Sequence, residues 1–450
     1  MDFKEFLKEF ISFRSISSEK ECENVMTSTA KFLQNALERM GLVAELCVPH
    51  CGGNPIVFAL RCVSDAKFSL LLYGHYDVQP VDPLESWDTS PFCMKCNNGL
   101  LFGRGIADDK GPLAAMLFAM EDILGEMHNF PINIFVTIEG EEEIGSRNFA
   151  EFLRENRQRI AVDGVLVCDT GSLSSELPTL TTALRSIIEM EISLQTASED
   201  LHSGFGGCLP NAVHELVRLC SLLHRADGSV NVDGFYGDIV AATADEMETF
   251  YHLEREEFPF LETFAVHGVQ NPFPELPIRG IHALKPSLEI NGIFGGHCGN
   301  GCKTIIPCRA TAKITVRVVN GQNPQKLLNL LEKFFHREVP SHVQLHLQAR
   351  ICGAPYAIDH CQSSVEFKAM FQQMEDSLQQ SFGNKPLHLR EGGSIGVVRM
   401  FRDHLQADSL LVGIVPPDAH IHAPNEHISL EVLQKARGAF AHFFKELAKK

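Results

Sequence analysis

The sequence predicts an α/β protein in which a mostly parallel sheet is interrupted by an inserted domain with the ferredoxin-like order of elements. Residues 1 to 180 alternate apolar strands with helices, which is typical of a parallel sheet. Residues 181 to 352 change to the order β-α-β-β-α-β, and from residue 353 the chain resumes helix and strand. We therefore expect one domain built from residues 1–180 and 353–450, with residues 181–352 inserted into it.

The individual elements follow from apolar periodicity and from glycine and proline positions. In the first domain, helices are predicted near residues 3 to 13 and 22 to 40, and strands near residues 68, 132 and 164. In the inserted domain the predicted elements are strand 186–196, helix 209–226, strand 287–293, strand 311–319, helix 323–337 and strand 342–349. Residues 228–286 are expected to form an additional, partly helical insertion.

Composition argues against some classes of binding partner and indicates a cellular compartment. The chain has 450 residues with 44% hydrophobic content, enough to bury a large core. Its net charge of −18 argues against nucleic acid or an anionic membrane as a partner, because phosphate binding depends on clustered Lys and Arg. The N-terminal pattern is amphipathic and has no signal-peptide core, so we expect a cytoplasmic protein whose 14 cysteines are reduced.

Two cysteine-rich segments have alternative interpretations. Cys93 and Cys96 have the spacing of half a zinc ribbon or of a redox pair, but no second pair lies at ribbon spacing. The Gly-rich segment with His297, Cys298, Cys302 and Cys308 could bind metal, although a loop near a substrate is the favoured interpretation.

Side chains of the kinds that bind metal ions occur where predicted strands end and loops begin. His75 follows the apolar run from Ser69 to Tyr73, and equivalent positions hold Asp108, Glu142, Glu143, Asp169 and His422. Taken singly, each position fits an ordinary loop histidine or a solvated charged turn. Ligands just past the carboxyl ends of parallel strands face a common crevice, however, and adjacent carboxylates repel unless a cation compensates. Five such loops together predict a metal site.

The chemistry of a two-metal site assigns tasks to these residues. Two cations about 3.5 to 4 Å apart require a bridging carboxylate, for which Asp108 is the natural candidate. A water held by both cations, its pKa falling from 15.7 toward about 7, becomes a hydroxide nucleophile. One further carboxylate must move the water's proton, and Glu142 and Glu143 can divide the tasks of base and ligand. Asp77 is placed to orient His75 or to support the metal.

Motif strings along the chain identify a resemblance. GHYDVQP, WDTSPF, GRGIADDKGP, EEIGS, DLHSGFGG, REGGS and HAPNE, in this order, resemble the dinuclear metallopeptidases that include carnosinase-type dipeptidases, acetylornithine deacetylase, succinyl-diaminopimelate desuccinylase and glutamate carboxypeptidase. The resemblance implies two divalent ions, with Zn²⁺ favoured and Mn²⁺ or Co²⁺ also fitting. It implies that His75 and Asp169 bind one ion, that Glu143 and His422 bind the other, that Asp108 bridges them and that Glu142 is the general base. It favours His422 over His420, because the family's last histidine stands three positions before Asn-Glu.

The inserted domain resembles the lid and dimerisation domain of that family. The resemblance implies a homodimer in which His202 reaches the partner's active site and stabilises an oxyanion. It also places Thr304 and Arg317 near the substrate, with Gly392, Gly393 and Ser394 of REGGS offering backbone N–H groups to a terminal carboxylate. The chain departs from the dipeptidase pattern at HCGNG, where a smaller Ser-Gly-rich run is usual.

Three functional hypotheses compete. A metal-dependent dipeptidase is favoured, because Asp169 is Asp as in similar dipeptidases, whereas the deacylase and carboxypeptidase branches usually have Glu there. An N-acyl amino acid amidohydrolase of the desuccinylase or deacetylase type would use the same metals and mechanism. A non-catalytic protein that kept the fold is disfavoured, because all six metal-site residues are present. A substrate panel would separate the first two hypotheses.

Overall fold

A computed structural model describes residues 2–253, 268, 271–359 and 361–449. Part of the predicted helical insertion, residues 254–267 and 269–270, lies outside the described residues. The chain forms two compact units: a first unit of Met1–Thr182, Ile358–Leu389 and Gly396–Lys450, and a second unit of Ala183–Ala357 and Arg390–Ile395. The predicted domain division differs from this one by a few residues at 180 and 352, and it placed residues 390–395 in the first domain.

The strands are numbered in chain order. They are β1 Val43–Cys47, β2 Ile56–Arg61, β3 Phe68–His75, β4 Lys95–Asn97, β5 Leu100–Phe102, β6 Ile132–Glu139, β7 Gly164–Gly171, β8 Thr179–Leu184, β9 Ser186–Gln195, β10 Leu201–His202, β11 Ser287–Gly295, β12 Ile305–Ile306, β13 Arg309–Val318, β14 Gln344–Cys352, β15 Tyr356–Ala357, β16 Leu387–Arg390, β17 Ser409–Val415 and β18 His427–Ser429. The described α-helices are Phe3–Ser12, Glu23–Arg39, Lys110–Glu126, Phe149–Asn156, Ala212–Ser221, Ala244–His252, Ile278–Leu284, Pro324–Glu338, Val365–Phe382, Gly396–Leu405 and Leu430–Leu447.

A sheet of order β1-β2-β6-β3-β7-β17-β8 forms the centre of the first unit, and β15 and β16 also pair with β8. The middle strands β6, β3, β7 and β17 are parallel neighbours. Their residues are apolar on both faces, as expected for strands covered on both sides by helices. Strands β1, β2 and β8, which the sequence did not predict, add antiparallel edges.

The helices around this sheet bury the predicted apolar faces. Helix Lys110–Glu126 is buried along most of its length and packs against helix Leu430–Leu447, which explains why it has little amphipathic character. Asp2 caps the first helix with a capping box. The described chain contains no helix with the length and apolar character needed to cross a membrane.

The second unit contains a four-stranded antiparallel sheet of order β11-β13-β9-β14. Helices Ala212–Ser221 and Pro324–Glu338 pack against it in a shared hydrophobic core. This is the predicted ferredoxin-like arrangement, and the α/β fold class is confirmed. The prediction of a helix from residue 209 was wrong at its start: the helix begins at Ala212, because the Asn211 side chain accepts the Val213 and His214 backbone N–H groups as an N-cap.

Candidate metal centre

His75 is the last residue of β3, at the edge where the parallel strands end. Its side chain is fully buried, and its Nδ1 atom lies 3.1 Å from the backbone carbonyl oxygen of Asp77. A carbonyl can only accept, so Nδ1 is the donor and Nε2 is directed toward the centre, 3.1 Å from Oδ1 of Asp108. This is the arrangement in which a histidine ligand is oriented through its second nitrogen.

Asp108 stands between two imidazoles. Its Oδ1 atom faces His75, and its Oδ2 atom lies 2.9 Å from Nε2 of His422, although 314 residues separate the two in sequence. Two groups of metal-type side chains share this carboxylate: His75, Asp108 and Asp169, and Asp108, Glu143 and His422. Within each group the ligand atoms lie within 4.8 Å of one another. Asp108 thus has the placement that a bridging ligand requires.

A short 3-10 turn, Glu142–Ile144, follows β6 and carries the two glutamates. The Asp77 carboxylate accepts the backbone N–H groups of Glu142 at 3.2 Å and of Glu143 at 3.1 Å. The Gln79 amide donates to Oε2 of Glu143 at 2.8 Å, and the same oxygen lies 3.2 Å from His422. Glu143 therefore points into the second ligand group, whereas Glu142 belongs to neither.

The electrostatics of the centre are dominated by crowded carboxylates. Burial raises the pKa of Glu142 to about 8, and the charges of Glu143 and Asp108 act in the same direction. Burial, followed by the charge of Asp108, raises the pKa of Asp169 well above its usual range. Burial also acts to raise the pKa of Asp108, but hydrogen bonds from the two imidazoles outweigh it and leave that pKa lowered. Hydrogen bonds to Asp108 and Glu143 raise the pKa of His422 to about 10.

The donor set fits divalent cations. Imidazole nitrogens and carboxylate oxygens are ligands that Zn²⁺, Mn²⁺ and Co²⁺ accept. Two positive ions would relieve the carboxylate repulsion that, together with burial, raises the Glu142 and Asp169 pKa values. His75 and Asp169 could hold one ion and Glu143 and His422 the other, with Asp108 between them.

A buried carboxyl next to the Glu142–Ile144 turn was missed by the sequence analysis. Glu139 ends β6 and accepts hydrogen bonds from the hydroxyls of Tyr73 at 2.8 Å and Ser146 at 2.9 Å. Ser146 follows the turn that carries Glu142 and Glu143, so this network fixes the far end of the turn. Glu139 and Ser146 stand at the two ends of the segment EGEEEIGS, which was the available signal.

The predicted lid residues all lie in the second unit. His202 and Thr304 are exposed and meet in the β10–β12 ribbon, where the Ser203 N–H donates to the Thr304 carbonyl at 3.0 Å. Nδ1 of His202 accepts the Gly204 N–H at 3.0 Å, so the proton of the neutral ring resides on Nε2, directed away from that contact.

Arg317 and the REGGS segment also come together. The Arg317 guanidinium donates to the Ser394 hydroxyl at 3.0 Å. The backbone N–H of Arg185, which was not predicted, donates to the Gly393 carbonyl at 3.0 Å, and its side chain donates to the Gly392 carbonyl at 2.7 Å. Burial lowers the pKa of Arg185 to about 10.

The two cysteine segments contribute no residue to the two ligand groups found among the described residues. Cys93, Cys96, Cys298 and Cys302 are exposed. Within the described ranges, both groups with metal-ligand geometry contain Asp108, and neither contains a cysteine.

Comparison with known proteins identifies the family. Residues 71–446 match Peptidase family M20/M25/M40. The Cys-Gly metallodipeptidase dug1 of Schizosaccharomyces pombe is 27% identical, over 99% of this chain and 96% of that protein. A metallo-carboxypeptidase of the M20 family from Sulfolobus solfataricus has a TM-score of 0.88 at 28% identity, with full coverage of both chains. Human carnosine dipeptidase 1 has a TM-score of 0.83 at 26% identity, covering 100% of this chain and 96% of that one. The chain belongs to peptidase family M20/M25/M40.

Proposed function

We propose that the protein is a metal-dependent dipeptidase that hydrolyses the amide bond of dipeptides with Glu142 as general base. The observation that carries the proposal is the position of Asp108, shared by two ligand groups, with Glu142 beside them and outside both. Relatives along almost the whole chain are named as dipeptidases, among them a Cys-Gly metallodipeptidase and a human Beta-Ala-His dipeptidase.

Each group of the proposed site has its own part in the hydrolysis. Two bound divalent cations would polarise the scissile carbonyl and lower the pKa of the attacking water. Glu142 removes a proton from that water as its oxygen bonds to the carbonyl carbon, and delivers the proton to the amine nitrogen as the C–N bond breaks. Burial, which raises the pKa of Glu142 in the metal-free protein, favours retention of the proton on this carboxyl between the two steps. Asp77 fixes the backbone from which this base projects.

We further propose that the enzyme is a homodimer and that His202 donates to the oxyanion in the partner's site. The exposed apolar side chains of the second unit support this, since Phe205, Leu209 and Val217 are 57%, 40% and 51% exposed. The free Nε2–H of His202 has the polarity that an oxyanion donor needs. We propose that the substrate is bound by Arg317, Thr304, Gly393 and Ser394. Arg317 would bind the terminal carboxylate of the substrate.

Zn²⁺ is the proposed metal, with Mn²⁺ and Co²⁺ as the alternatives that the same ligands accept. A cytoplasmic location stays a prediction from the sequence.

A substrate panel tests the dipeptidase proposal against amidohydrolase and carboxypeptidase activities. Metal-stripped protein, reloaded with Zn²⁺ or Mn²⁺, is assayed with α-dipeptides, a β-alanyl dipeptide, a tripeptide, and N-acetyl and N-succinyl amino acids. We expect kcat/KM to be highest for dipeptides. Preference for the N-acyl amino acids would favour the amidohydrolase, and preference for longer peptides cleaved at the carboxyl end would favour a carboxypeptidase.

A further inference from the structure

A buried ion pair outside the ligand set joins Arg104 to Glu426. The Nη1 atom of Arg104 lies 2.7 Å from Oε2 of Glu426, and each residue is only 1% exposed. Arg104 precedes Asp108 in GRGIADDKGP, and Glu426 ends HAPNE four residues after His422. The proposed reaction gives neither residue a task.

The Glu426 carboxylate accepts hydrogen bonds from the backbone of the loop that leads to Asp108. Its Oε2 accepts the Gly105 N–H at 3.0 Å, and its Oε1 accepts the N–H groups of Ala107 at 2.8 Å and Asp108 at 3.2 Å. Hydrogen bonds to an ionised carboxylate are among the stronger ones in proteins. Because one of them comes from Asp108 itself, Glu426 fixes the backbone from which the shared carboxylate projects.

Arg104 extends the same network to two more motif loops. Its Nη2 donates to the Pro80 carbonyl at 2.9 Å, just beyond the loop of His75 and Asp77. Its guanidinium lies over the Trp87 ring at 5.3 Å from the centroid, and its backbone N–H donates to the Pro91 carbonyl at 2.9 Å. Trp87 and Pro91 belong to WDTSPF, so one ion pair connects four of the motif strings.

The loop that carries His422 is also held at this point. His422 and Asn425 have φ angles of 61° and 62°, a left-handed conformation that is uncommon for non-glycine residues. The Asn425 side chain accepts the Asp88 N–H at 2.8 Å, and the Glu426 carbonyl accepts the Gly103 N–H at 3.1 Å. These contacts anchor the loop directly after the histidine.

We propose that the Arg104–Glu426 pair is a positioning element that sets the separation of Asp108 and His422 and thereby the affinity for the cations they hold. This role rests on the proposed metal site. Neither residue belongs to the two ligand groups, and the proposed reaction assigns neither of them a contact with the substrate. The pair acts by holding, in one buried contact, two ligand loops that are 322 residues apart in the sequence.

Replacement of Glu426 by Gln tests the role, because the side chain keeps its size while one acceptor oxygen becomes an amide donor. We expect the affinity of metal-stripped Glu426→Gln for Zn²⁺ or Mn²⁺, measured by chelator competition at a temperature where the fold is intact, to fall at least ten-fold. Turnover should recover as excess metal is added.

Glu375→Gln is the matched control. Glu375 is 5% exposed and pairs with Lys385 at 3.0 Å and His388 at 3.2 Å, and its carboxylate accepts the Gln372 amide at 3.0 Å; these three partners lie outside the motif strings. This control should lower the melting temperature without changing metal affinity. Unchanged affinity in Glu426→Gln, or a loss no larger than in Glu375→Gln, overturns the positioning role.

A double variant covers the case in which Glu426→Gln does not fold. Arg104→Met combined with Glu426→Gln leaves no buried charge without a partner, so it should fold more readily than the single variant. Its metal affinity should remain at least ten-fold below wild type, and a wild-type affinity would overturn the role. Since these readouts need no substrate, failure of the wild type to cleave dipeptides contradicts the proposed function alone, whereas a wild type that binds no divalent metal contradicts both.

Discussion

The carboxylate of Asp77 accepts the backbone N–H of Glu142 at 3.2 Å. Its other oxygen accepts the N–H of Glu143 at 3.1 Å, and its backbone carbonyl receives the Nδ1 proton of His75. One residue therefore orients the proposed base and two of the proposed ligands. Asp77 acts on the centre through the elements that it holds in place.

Asp77→Asn should separate this task from general stability. An asparagine has a single acceptor oxygen, so one of the two N–H groups loses its partner and the turn is free to shift. We expect turnover at saturating metal to fall about 10- to 100-fold, measured by steady-state kinetics. Asp163→Asn is the control, because Asp163 accepts the Ser69 N–H at 2.7 Å at the other end of β3. Equal kinetic losses in the two variants would show that Asp77 has no special role.

Glu142 and Glu143 should respond differently to the same substitution. Glu142→Gln should retain both metals and bind substrate, while turnover falls by about 10² to 10⁴ because proton transfer is lost. Glu143→Gln should lose metal, since its carboxylate contacts His422 within the second ligand group. Metal content by elemental analysis and kcat on a dipeptide check both. Near-normal turnover of Glu142→Gln would remove it from the role of base.

Metal binding should release protons at neutral pH. Hydrogen bonds to Asp108 and Glu143 raise the pKa of His422 to about 10 in the metal-free protein, and burial raises that of Glu142 to about 8. A ligand histidine must be neutral, so its proton leaves as the cation binds. Calorimetry at pH 7 in buffers of different ionisation enthalpy should show this release, and His422→Gln should reduce it. A binding enthalpy that does not depend on the buffer would contradict the expectation.

The same shifts set a pH dependence for the stability of the metal-free protein. A group whose pKa is raised on folding stabilises the fold below its unfolded pKa, about 6.5 for histidine, and this contribution is lost as the pH rises through the folded value. For His422 the window runs from about 6.5 to about 10. The melting temperature of the metal-free protein should fall across this window. A rise across the same window would mean that His422 is not paired as described.

The proposed role of His202 can be tested by mixing inactive subunits. If it acts across a dimer, a His202→Ala subunit combined with a Glu142→Ala subunit forms one site that has both residues intact. Loss of an oxyanion donor costs about 2.7 to 4 kcal/mol, so recovery is measurable, and statistical mixing should restore up to roughly a quarter of wild-type activity. No recovery in verified heterodimers would place His202 in its own subunit's site or outside catalysis.

Local patterns in the sequence were sufficient to predict the parallel strands and the candidate site residues at their carboxyl ends. Apolar runs identify β3, β6, β7 and β17, and the carboxyl ends of parallel strands meet at one edge, so His75, Glu143 and Asp169 could be expected together. Residues that act through long-range contacts were missed. Gln79, Glu139, Arg104 and Glu426 lie within or next to the motif strings, but their partners depend on how distant loops pack, which no periodicity encodes.

The antiparallel edges were missed for a related reason. Strands β1 and β2 are short, and β1 alternates exposed with half-buried residues, so its apolar signal is weak. The antiparallel pairing of β1 with β2 depends on contacts between the two strands and not on a pattern within β1 alone.

The most direct test of the two-metal account is a titration of metal-stripped protein with Zn²⁺ or Mn²⁺, with dipeptide hydrolysis and bound metal measured at each step. We expect almost no turnover without metal, a plateau at two ions per chain, and no gain in turnover for Glu142→Gln although it binds the same two ions. Full turnover in metal-free protein, or a plateau at one ion per chain, would contradict the account.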